Sequence, residues 1–289
     1  FYAKVKGEGE AFGLIAPQVD YDFSKMQARK EHAVAGFTRG LEGLFQKNKL
    51  ERFTGEGRLE GPHTASVGGE TLSAKPLLLA TGSEPISLPF LPFDERVVLS
   101  STGALALTSP PKELLVIGAG IIGVELGSVY ARLGTKVTFI EFLDRICPSF
   151  DLALSKGLQK SLQDRGMTFL LSHKVTSASI GSGVTLTLQG PSGEQTLSGE
   201  KVLVAVGRRP YHKNLNLEKV GVQTDSKGFV VVNDAFQTTC PSIYAIGDLI
   251  DGPMLAHKAS EEGVAVAELL AGHRPSLDYL SIPGVAYTS

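Results

Sequence analysis

Three glycines and one acid are the residues of this chain whose types and spacing best suit ligand binding. Gly118, Gly120 and Gly123 form a G-x-G-x-x-G turn, and Glu141 ends the strand-like segment that follows. In such a turn the first glycine permits the tight bend, the second lets a pyrophosphate approach the backbone, and the third lets helix and strand pack closely. The acid can accept hydrogen bonds from a ribose diol. The pattern predicts a dinucleotide site.

The elements around these residues are the ones that such a site requires. The apolar run Leu114–Ile117 predicts a buried strand, and helical periodicity predicts a helix that ends at Leu133 and Gly134. Lys136–Ile140 predicts the second strand. Ligand phosphates are expected at the helix N-terminus, where free N–H groups and the helix dipole favour anions. This order of elements disfavours the two plainer interpretations, an unrelated glycine-rich turn and a solvated Glu141 at a strand end.

Composition limits the classes of function. The chain has 289 residues, enough for two domains, and 42% of them are hydrophobic, enough for ordinary cores. A net charge of −2 gives no electrostatic reason to expect nucleic acid or an anionic membrane as a partner. No apolar run of about eighteen residues predicts a membrane span. Cys147 and Cys240 are far apart and the histidines are scattered, so structural thiols are expected, with neither a disulfide nor a metal site.

Further elements are predicted on both sides of the dinucleotide unit. An apolar stripe between Phe23 and Asn48 predicts an amphipathic helix that packs on a core. Hairpins are predicted at Gly68-Gly69 and at residues 190–193. An alanine-rich helix is expected to begin at Pro253 and to reach about Leu270. The remaining predictions are a helix over Asp151–Arg165 and strands over Glu51–Leu59, Leu77–Ala80, Met167–Leu171, Val202–Val206 and from Ile243 to Gly247.

Two segments of the chain share one layout. PLLLATGSEP and KVLVAVGRRP each follow a predicted hairpin, run through a buried strand to a glycine, and carry a proline three residues later. This similarity predicts an internal duplication of one nucleotide-binding architecture. Arg208 and Arg209, in the second copy, are expected to pair with carboxylates across the domain boundary. Asp248 lies just past a third strand, and the crevice at the carboxyl ends of parallel strands is where open α/β sheets bind ligands.

Taken together, these motifs resemble the flavin-dependent pyridine-nucleotide disulfide oxidoreductases. The segments that carry the resemblance follow the family order through nearly the whole chain and are ATGSEP, SSTGAL, VIGAGIIGVELGSVY, IEFLD, VGRRP, KNL, FQT, IYAIGD and GPMLAHKA. The resemblance implies an α/β fold with two Rossmann-like, three-layer βαβ domains, in which the NAD domain interrupts the flavin domain. The implied boundaries are 1–109 and 240–275 for the FAD-binding domain, 110–239 for the NAD-binding domain, and 276–289 for the start of a C-terminal dimerisation domain.

The resemblance also implies cofactor contacts at matching positions. The implied FAD contacts are Gly57, Thr81, Gly82, Ser83, Asp248, Met254, Leu255, Ala256 and His257. The implied NAD contacts are Gly118, Ala119, Gly120, Ile121, Ile122, Gly123, Val124, Glu125, Glu141, Val175 and Gly207. Asp248 would hold the ribityl chain, and the amides of residues 254–257 would favour the anionic reduced flavin. His257 is expected to contribute its amide rather than to act as a base, and Glu125 would lie near the flavin on the nicotinamide side.

The branch of the family that these segments resemble most specifically reoxidises dihydrolipoamide, with electrons passing through FAD to NAD. Its redox CxxxxC and first flavin glycine turn are expected before Phe1, and its His–Glu acid/base pair after Ser289. No catalytic residue is therefore expected within this chain, and the segment alone is expected to be inactive. The resemblance further implies that 2-oxo-acid dehydrogenase complexes carry the dihydrolipoamide and that the enzyme is a homodimer. The implied compartment is the mitochondrial matrix, or the cytoplasm if the source is a bacterium.

Two alternatives to this function stay open, and Glu141 bears on one of them. The first is another FAD-dependent disulfide reductase of the mercuric or glutathione type. The second is a catalytically silent nucleotide-binding segment. Glu141 favours NAD over NADP, because a carboxylate repels a 2′-phosphate and NADP sites place an arginine nearby. A charge-assisted hydrogen bond of about 1.5–3 kcal/mol predicts a preference of roughly 10- to 100-fold.

Overall fold

The computed structural model describes residues 2–15 and 18–288. Within those residues, helices α1–α6 are Tyr2–Glu8, Phe23–Lys47, Ser101–Leu105, Ile121–Arg132, Leu152–Gln163 and Ala256–Leu270. Strands β1–β15 are Gly57–Gly61, Thr64–Val67, Glu70–Ser73, Leu77–Leu79, Ser83–Pro85, Val98–Leu99, Glu113–Ile117, Lys136–Ile140, Thr168–Leu170, Lys174–Ile180, Val184–Gly190, Gly193–Gly199, Lys201–Val204, Arg208–Pro210 and Ile243–Ala245. Short 3₁₀ helices lie at Gly9–Phe12, Leu217–Val220, Gly247–Leu249 and Tyr279–Ser281.

The contacts within the chain define two compact units. Unit 1 consists of Phe1–Leu44, Ser87–Gly207 and Val285–Ser289, and unit 2 consists of Phe45–Ile86 and Arg208–Gly284. Residues 87–109 thus group with the glycine-rich βαβ segment, although they were predicted to belong to the flavin domain. Residues 208–239, predicted to belong to the NAD domain, group with unit 2. The assignment of one cofactor to each unit stays a prediction.

Unit 1 is built on a parallel sheet of five strands in the order β6-β13-β7-β8-β9. The chain passes from β7 through α4 to β8 on one side, and β13 later pairs with the other side of β7. The carboxyl end of β7 is therefore a topological switch point, the place where open α/β sheets bind ligands. The predicted strand–helix–strand order and the α/β class are confirmed.

Both faces of this parallel sheet are covered, as its continuous apolar strands require. On one face Leu114 and Val116 pack in a core with Val124 and Tyr130 of α4. On the other face, Leu115 and Ile117 share a core with the buried side chains of the antiparallel sheet β10-β11-β12. The predicted hairpin of β11 and β12 is confirmed, whereas β10 was not predicted. Unit 1 therefore has three layers.

Unit 2 contains three small sheets and helix α6. The antiparallel sheet β1-β2-β3 carries the predicted hairpin at Gly68 and Gly69, which have φ of 60° and 90°. The strand predicted to start at Glu51 starts instead at Gly57, because Gly55 has a φ of 152° and packs against the Gly68 backbone, which bends the chain before the strand. Strand β4 pairs in parallel with β15, and β5 pairs antiparallel with β14.

Helix α2 confirms one half of its prediction and contradicts the other. The helix forms over Phe23–Lys47, but it has no buried residue, and Phe37 is 77% exposed. Val34, Leu41 and Phe45 on the same stripe are exposed as well. Phe23, at the start of the helix, is partly buried against the core of unit 1, but the expected packing on a core is wrong for the rest of the stripe. Helical periodicity shows that a helix has an apolar face, but it carries no information about which surface covers that face.

Two helix glycines of unit 1 allow a matched test of how tightly α4 packs. A Cβ atom on Gly127 would lie 2.5 Å from Cζ of Phe139, whose ring is buried and stacks on Phe169. A Cβ atom on Gly157, in α5, would meet nothing within 4 Å. We expect Gly127→Ala to destabilise the chain by about 1–3 kcal/mol through overpacking. We expect Gly157→Ala to stabilise it by about 0.5–1 kcal/mol.

Calorimetric melting of both purified variants measures the difference, since the two changes add the same methyl group to a helix. A midpoint that rises for both variants would show that Phe139 can move aside and that α4 does not depend on glycine at position 127.

Candidate functional site

The glycine turn at the end of β7 is shaped by two very close backbone approaches. Gly118 has a φ of 96°, and a Cβ atom there would lie 2.4 Å from the carbonyl oxygen of Ala205, just past β13. A Cβ atom on Gly123 would lie 2.2 Å from the carbonyl oxygen of Gly118. Only glycine fits at either position. The tight bend and the close packing of helix on strand that the sequence predicted are both observed.

The second glycine of the motif opens onto free space. Gly120 is the N-cap of α4, and a Cβ atom on it would meet nothing within 4 Å. The first hydrogen bond of the helix runs from the Val124 amide to the Gly120 carbonyl, at 2.9 Å. The amides before Val124 are therefore those that an α-helix leaves without an intrahelical partner. An open backbone at the positive end of a twelve-residue helix fits a pyrophosphate.

Glu141 lies beside this turn and is ordered by backbone amides. Its Oε2 accepts a hydrogen bond from the Ala119 amide at 2.7 Å, and its Oε1 accepts one from the Leu143 amide at 2.8 Å. The residue is only 8% exposed, so the interpretation of a solvated strand end is wrong. Each carboxylate oxygen can accept a second hydrogen bond. The structure therefore brings together the glycine turn and the acid that the sequence pattern paired.

The other positions implied for NAD are spread over α4 and two further segments of unit 1. Ile121, Ile122 and Val124 lie in the first turn of α4. Val175 lies on β10 with a buried side chain, and Gly207 follows β13 with a φ of 132°. Glu125, also implied as an NAD contact, lies further along α4. Its Oε1 accepts a hydrogen bond from the Tyr287 amide at 2.6 Å.

Ser83 and Asp248, both implied as FAD contacts, meet in unit 2. The Ser83 hydroxyl donates a hydrogen bond to Oδ2 of Asp248 at 2.6 Å. Arg208 donates from Nε to the Ser83 hydroxyl oxygen at 2.7 Å and from Nη2 to the Ser83 carbonyl oxygen at 2.6 Å. This small network places an acid, a hydroxyl and a guanidinium together, and an acid oriented in this way can accept hydrogen bonds from a polyol chain.

The role expected for the two arginines holds for one of them. Arg209 pairs with the carboxylate of Glu84 at 2.7 Å, and these residues come from the two segments predicted to belong to different domains, although both lie in unit 2. Arg208 binds Ser83 instead of a carboxylate. The reason is the antiparallel pairing of β5 with β14, which sets Arg208 opposite Pro85 and Arg209 opposite Glu84. The signal in the sequence was the similarity of ATGSEP to VGRRP, which did not show that the two segments pair with each other.

The remaining positions implied for FAD occupy three places in unit 2. Gly57 begins β1. Thr81 donates its hydroxyl to the Tyr211 carbonyl, and Gly82, with a φ of 72°, accepts a hydrogen bond from the Tyr211 amide. Residues 254–257 lie at the start of α6.

The start of α6 differs from its prediction. The helix begins at Ala256 rather than at Pro253, because Leu255 is extended, with φ of −128° and ψ of 132°. Leu255 is therefore the N-cap, and no side chain caps the helix there. The amides of Ala256 and His257 lie in the first turn, as the amide role expected for His257 requires. The His257 ring contacts the Pro283 carbonyl through Nε2 at 2.9 Å.

A buried ion pair on α6 was missed from the sequence. Lys258 and Glu262 are one helical turn apart, and both side chains are fully buried. The spacing of lysine and glutamate was visible in the sequence, but the same spacing is common on solvated helix faces. Nothing local to the segment distinguishes the buried case.

Among residues 2–15 and 18–288, no cluster of three or more His, Cys, Asp or Glu side chains has the arrangement to hold a metal ion. No helix in the same part of the chain is long and apolar enough to cross a membrane. Cys147 and Cys240 are both buried free thiols.

The Cys147 thiol supplies a prediction about pH. Burial raises the pKa of this thiol to about 11 from an ordinary value of 9.0, and the negative charges of Glu125 and Glu141 make smaller contributions to the rise. The thiol of the folded chain therefore stays protonated at pH 8, and alkylation by iodoacetamide, which needs the thiolate, should be much slower than in the urea-unfolded chain. The pKa of this thiol is higher in the folded chain than in the unfolded chain. Its contribution to the free energy of unfolding should therefore decrease as the pH rises from 9 to 11.

Mass spectrometry of the peptide that contains Cys147, sampled over time at pH 8, measures the alkylation rate. Equal rates for the folded and the unfolded chain would contradict the protected environment of this thiol.

Comparisons with known proteins agree on one family. A family model described as pyridine nucleotide-disulphide oxidoreductase matches residues 5–263. "Dihydrolipoyl dehydrogenase 1, mitochondrial" of Arabidopsis thaliana is 46% identical over 295 residues, covering 99% of this chain and 58% of its own length. "Dihydrolipoyl dehydrogenase 3" of Pseudomonas putida is also 46% identical, covering 99% of this chain and 63% of its own length. The chain thus spans 58–63% of the length of these relatives.

A solved structure shows the same fold. The crystal structure of LpdA from Mycobacterium tuberculosis matches with a TM-score of 0.89 at 23% sequence identity, covering 99% of this chain and 64% of that chain.

Proposed function

Because this chain belongs to the pyridine nucleotide-disulphide oxidoreductase family, we propose that it provides the NAD site and part of the FAD site of an enzyme that oxidises dihydrolipoamide. FAD and NAD, the cofactors predicted from the sequence, are those of the family. The observation that carries the proposal is the geometry at the end of β7, where an open helix N-terminus and an ordered acid, Glu141, lie side by side. The 46% identity to dihydrolipoyl dehydrogenases supports the substrate.

In unit 1, the first turn of α4 would hold the pyrophosphate of NAD. The open backbone at Gly120 lets the phosphates approach the amides, and the helix dipole favours their charge. Glu141 would accept hydrogen bonds from the hydroxyls of the adenosine ribose. Since its carboxylate is already oriented by the amides of Ala119 and Leu143, binding would not have to order it.

In unit 2, Ser83, Asp248 and the start of α6 would hold FAD. When bound, the flavin supplies the electron relay between a dithiol and the nicotinamide. Asp248 would accept hydrogen bonds from the ribityl hydroxyls, with its carboxylate oriented by the Ser83 hydroxyl. The first-turn amides of α6, at the positive end of a fifteen-residue helix, would favour negative charge at the edge of the ring.

The proposal extends to partners and compartment. The substrate would be dihydrolipoamide carried by 2-oxo-acid dehydrogenase complexes, and the enzyme would be a homodimer. Of the relatives compared, the plant protein is mitochondrial by name and the other comes from a bacterium. We therefore propose the mitochondrial matrix as the compartment, or the cytoplasm if the source is bacterial.

The experiment that tests the function uses the full-length protein that contains this chain. A visible absorption spectrum reports bound flavin, and initial rates are then compared for dihydrolipoamide with NAD and for oxidised glutathione or mercuric ion with NADPH. A yellow protein that reduces NAD in the presence of dihydrolipoamide supports the proposal. A yellow protein that turns over only the second pair of substrates would identify the other reductase class. A colourless protein that still binds NADH would support the silent nucleotide-binding module.

Glu141 provides the prediction about nucleotide choice. We expect Glu141→Ala to weaken NADH binding roughly 10- to 100-fold, because the ribose loses a charge-assisted hydrogen bond. NADPH binding should fall much less or improve, because the carboxylate that repels its 2′-phosphate is gone. Fluorescence titration with both nucleotides measures the two dissociation constants.

Glu113→Ala is the matched control for this titration. Glu113 lies at the other end of β7 and forms a solvent-exposed pair with Lys136, so both affinities should stay unchanged. If the unaltered protein already binds NADPH as tightly as NADH, the role given to Glu141 is wrong.

A further inference from the structure

Unit 2 contains an ion pair that is completely removed from solvent. Nζ of Lys258 and Oε1 of Glu262 lie 3.1 Å apart on α6, and both side chains are 0% exposed. Burying two charges carries a large desolvation cost, and an apolar pair of similar volume is often as stable or more stable. Stability alone is therefore a poor reason for the pair.

Both members of the pair bind the backbone of one residue, Gly247. The Gly247 amide donates to Oε2 of Glu262 at 2.7 Å, and Nζ of Lys258 donates to the Gly247 carbonyl oxygen at 3.0 Å. Gly247 has a φ of 72°, in the left-handed region that favours glycine. The two charged groups thus hold the amide and the carbonyl of a single left-handed residue. The next residue in the chain is Asp248.

The surroundings of the pair complete the network and limit its movement. The hydroxyl of Tyr279 donates to Oε1 of Glu262 at 2.8 Å. Burial and the neighbouring Glu262 raise the pKa of Tyr279, so the hydroxyl keeps its proton and remains a donor. On the lysine side, a Cβ atom on Gly252, which has a φ of 126°, would lie 3.1 Å from Cε of Lys258. The end of the lysine side chain therefore packs closely against the backbone of a second glycine.

We propose that Lys258 and Glu262 are positioning residues for FAD, which hold Gly247 in its left-handed conformation and thereby aim the Asp248 carboxylate. The proposal rests on the FAD contact of Asp248 under the proposed function. Asp248 is then fixed twice, through its backbone by the ion pair and through its side chain by Ser83. An acid fixed in this way keeps one direction before the cofactor binds, which lowers the entropy cost of binding.

A double-mutant cycle on the full-length holoprotein tests the proposal. FAD is removed, and its dissociation constant is measured by flavin fluorescence for the unaltered protein, Lys258→Met, Asp248→Asn and the double variant. We expect Lys258→Met to weaken FAD binding about 5- to 100-fold in the unaltered background and far less in the Asp248→Asn background. A purely structural role for Lys258 would give the same fold-change in both backgrounds.

Two further variants keep the test decisive if Lys258→Met does not fold. Replacing both partners, as Lys258→Met with Glu262→Met, leaves no unpaired buried charge and should preserve the fold. This variant should still bind FAD weakly, because Gly247 has lost both of its charged partners and its carbonyl keeps only the Ile250 amide, at 3.2 Å. Lys219→Met is the matched control, because Lys219 forms an exposed pair with Glu60 in the same unit, and it should leave FAD binding unchanged.

The outcomes separate this inference from the proposed function. If Asp248→Asn weakens FAD binding but the effect of Lys258→Met is equal in both backgrounds, the positioning role is overturned and the FAD site stands. Normal FAD binding by the folded Lys258→Met, Glu262→Met variant overturns the role as well. If Asp248→Asn leaves FAD binding unchanged, Asp248 does not contact FAD. That result would overturn the inference and would remove Asp248 from the FAD site of the proposed function.

Discussion

The close backbone approach at Gly118 is the constraint on which the rest of unit 1 depends. The turn lies between the carboxyl ends of two neighbouring strands. The Gly118 amide donates to the Ile140 carbonyl at the end of β8, and the Ala205 amide past β13 donates to the Ile117 carbonyl, both at 2.8 Å. A side chain at Gly118 would collide with Ala205 and separate β7 from β13. The strand order creates the switch point, and the absence of that side chain lets the chain turn there into α4.

Each unit contains an acid whose carboxylate is oriented by hydrogen bonds within the protein. Glu141 follows β8 and is held by two backbone amides, and Asp248 follows β15 and is held by a hydroxyl. Ala119 and Ser83 are distant from these acids in sequence, so the fold determines the orientation of each carboxylate, and Leu143 adds a local bond to Glu141. Buried carboxylates need such donors, because an unpaired buried charge is very costly. Glu141 is buried and Asp248 is half-buried, and the same donors that compensate this burial also fix the direction of each carboxylate, which under the proposed function preorganises it for a ligand.

The sequence predicted what local patterns determine. Apolar runs and glycine spacing identified the βαβ unit and both hairpins, because those features depend on residues close together in the chain. Strand β10 was missed because Lys174–Ile180 is mainly exposed, with one clearly buried side chain, Val175, and so lacks a clear alternation. The start of α6 was placed too early because proline is compatible with a first helical turn but does not require one.

Contacts between distant residues lay outside what local patterns can show. The bonds from Arg208 to Ser83 join residues 125 positions apart, and the burial of Lys258 and Glu262 depends on how α6 packs against the turn at Gly247. The exposed stripe of α2 shows the same limit. Its periodicity correctly predicts the helix, but the sequence of the helix does not determine which surface covers the stripe. Element types were therefore easier to predict than their partners.

The repeated layout accounts for the distant contacts of Arg208 and Arg209. Each copy runs from a three-stranded antiparallel sheet to a parallel strand and then to a short strand, as β1-β2-β3, β4 and β5 and again as β10-β11-β12, β13 and β14. The two short strands pair antiparallel with each other, so Ser83 of one copy lies opposite Pro210 of the other. Opposite charges on facing residues of an antiparallel pair are stabilising, whereas like charges are destabilising. The serine and glutamate of the first copy therefore meet the two arginines of the second, and the same pairing places Arg208 where it orders Ser83 and, through it, Asp248.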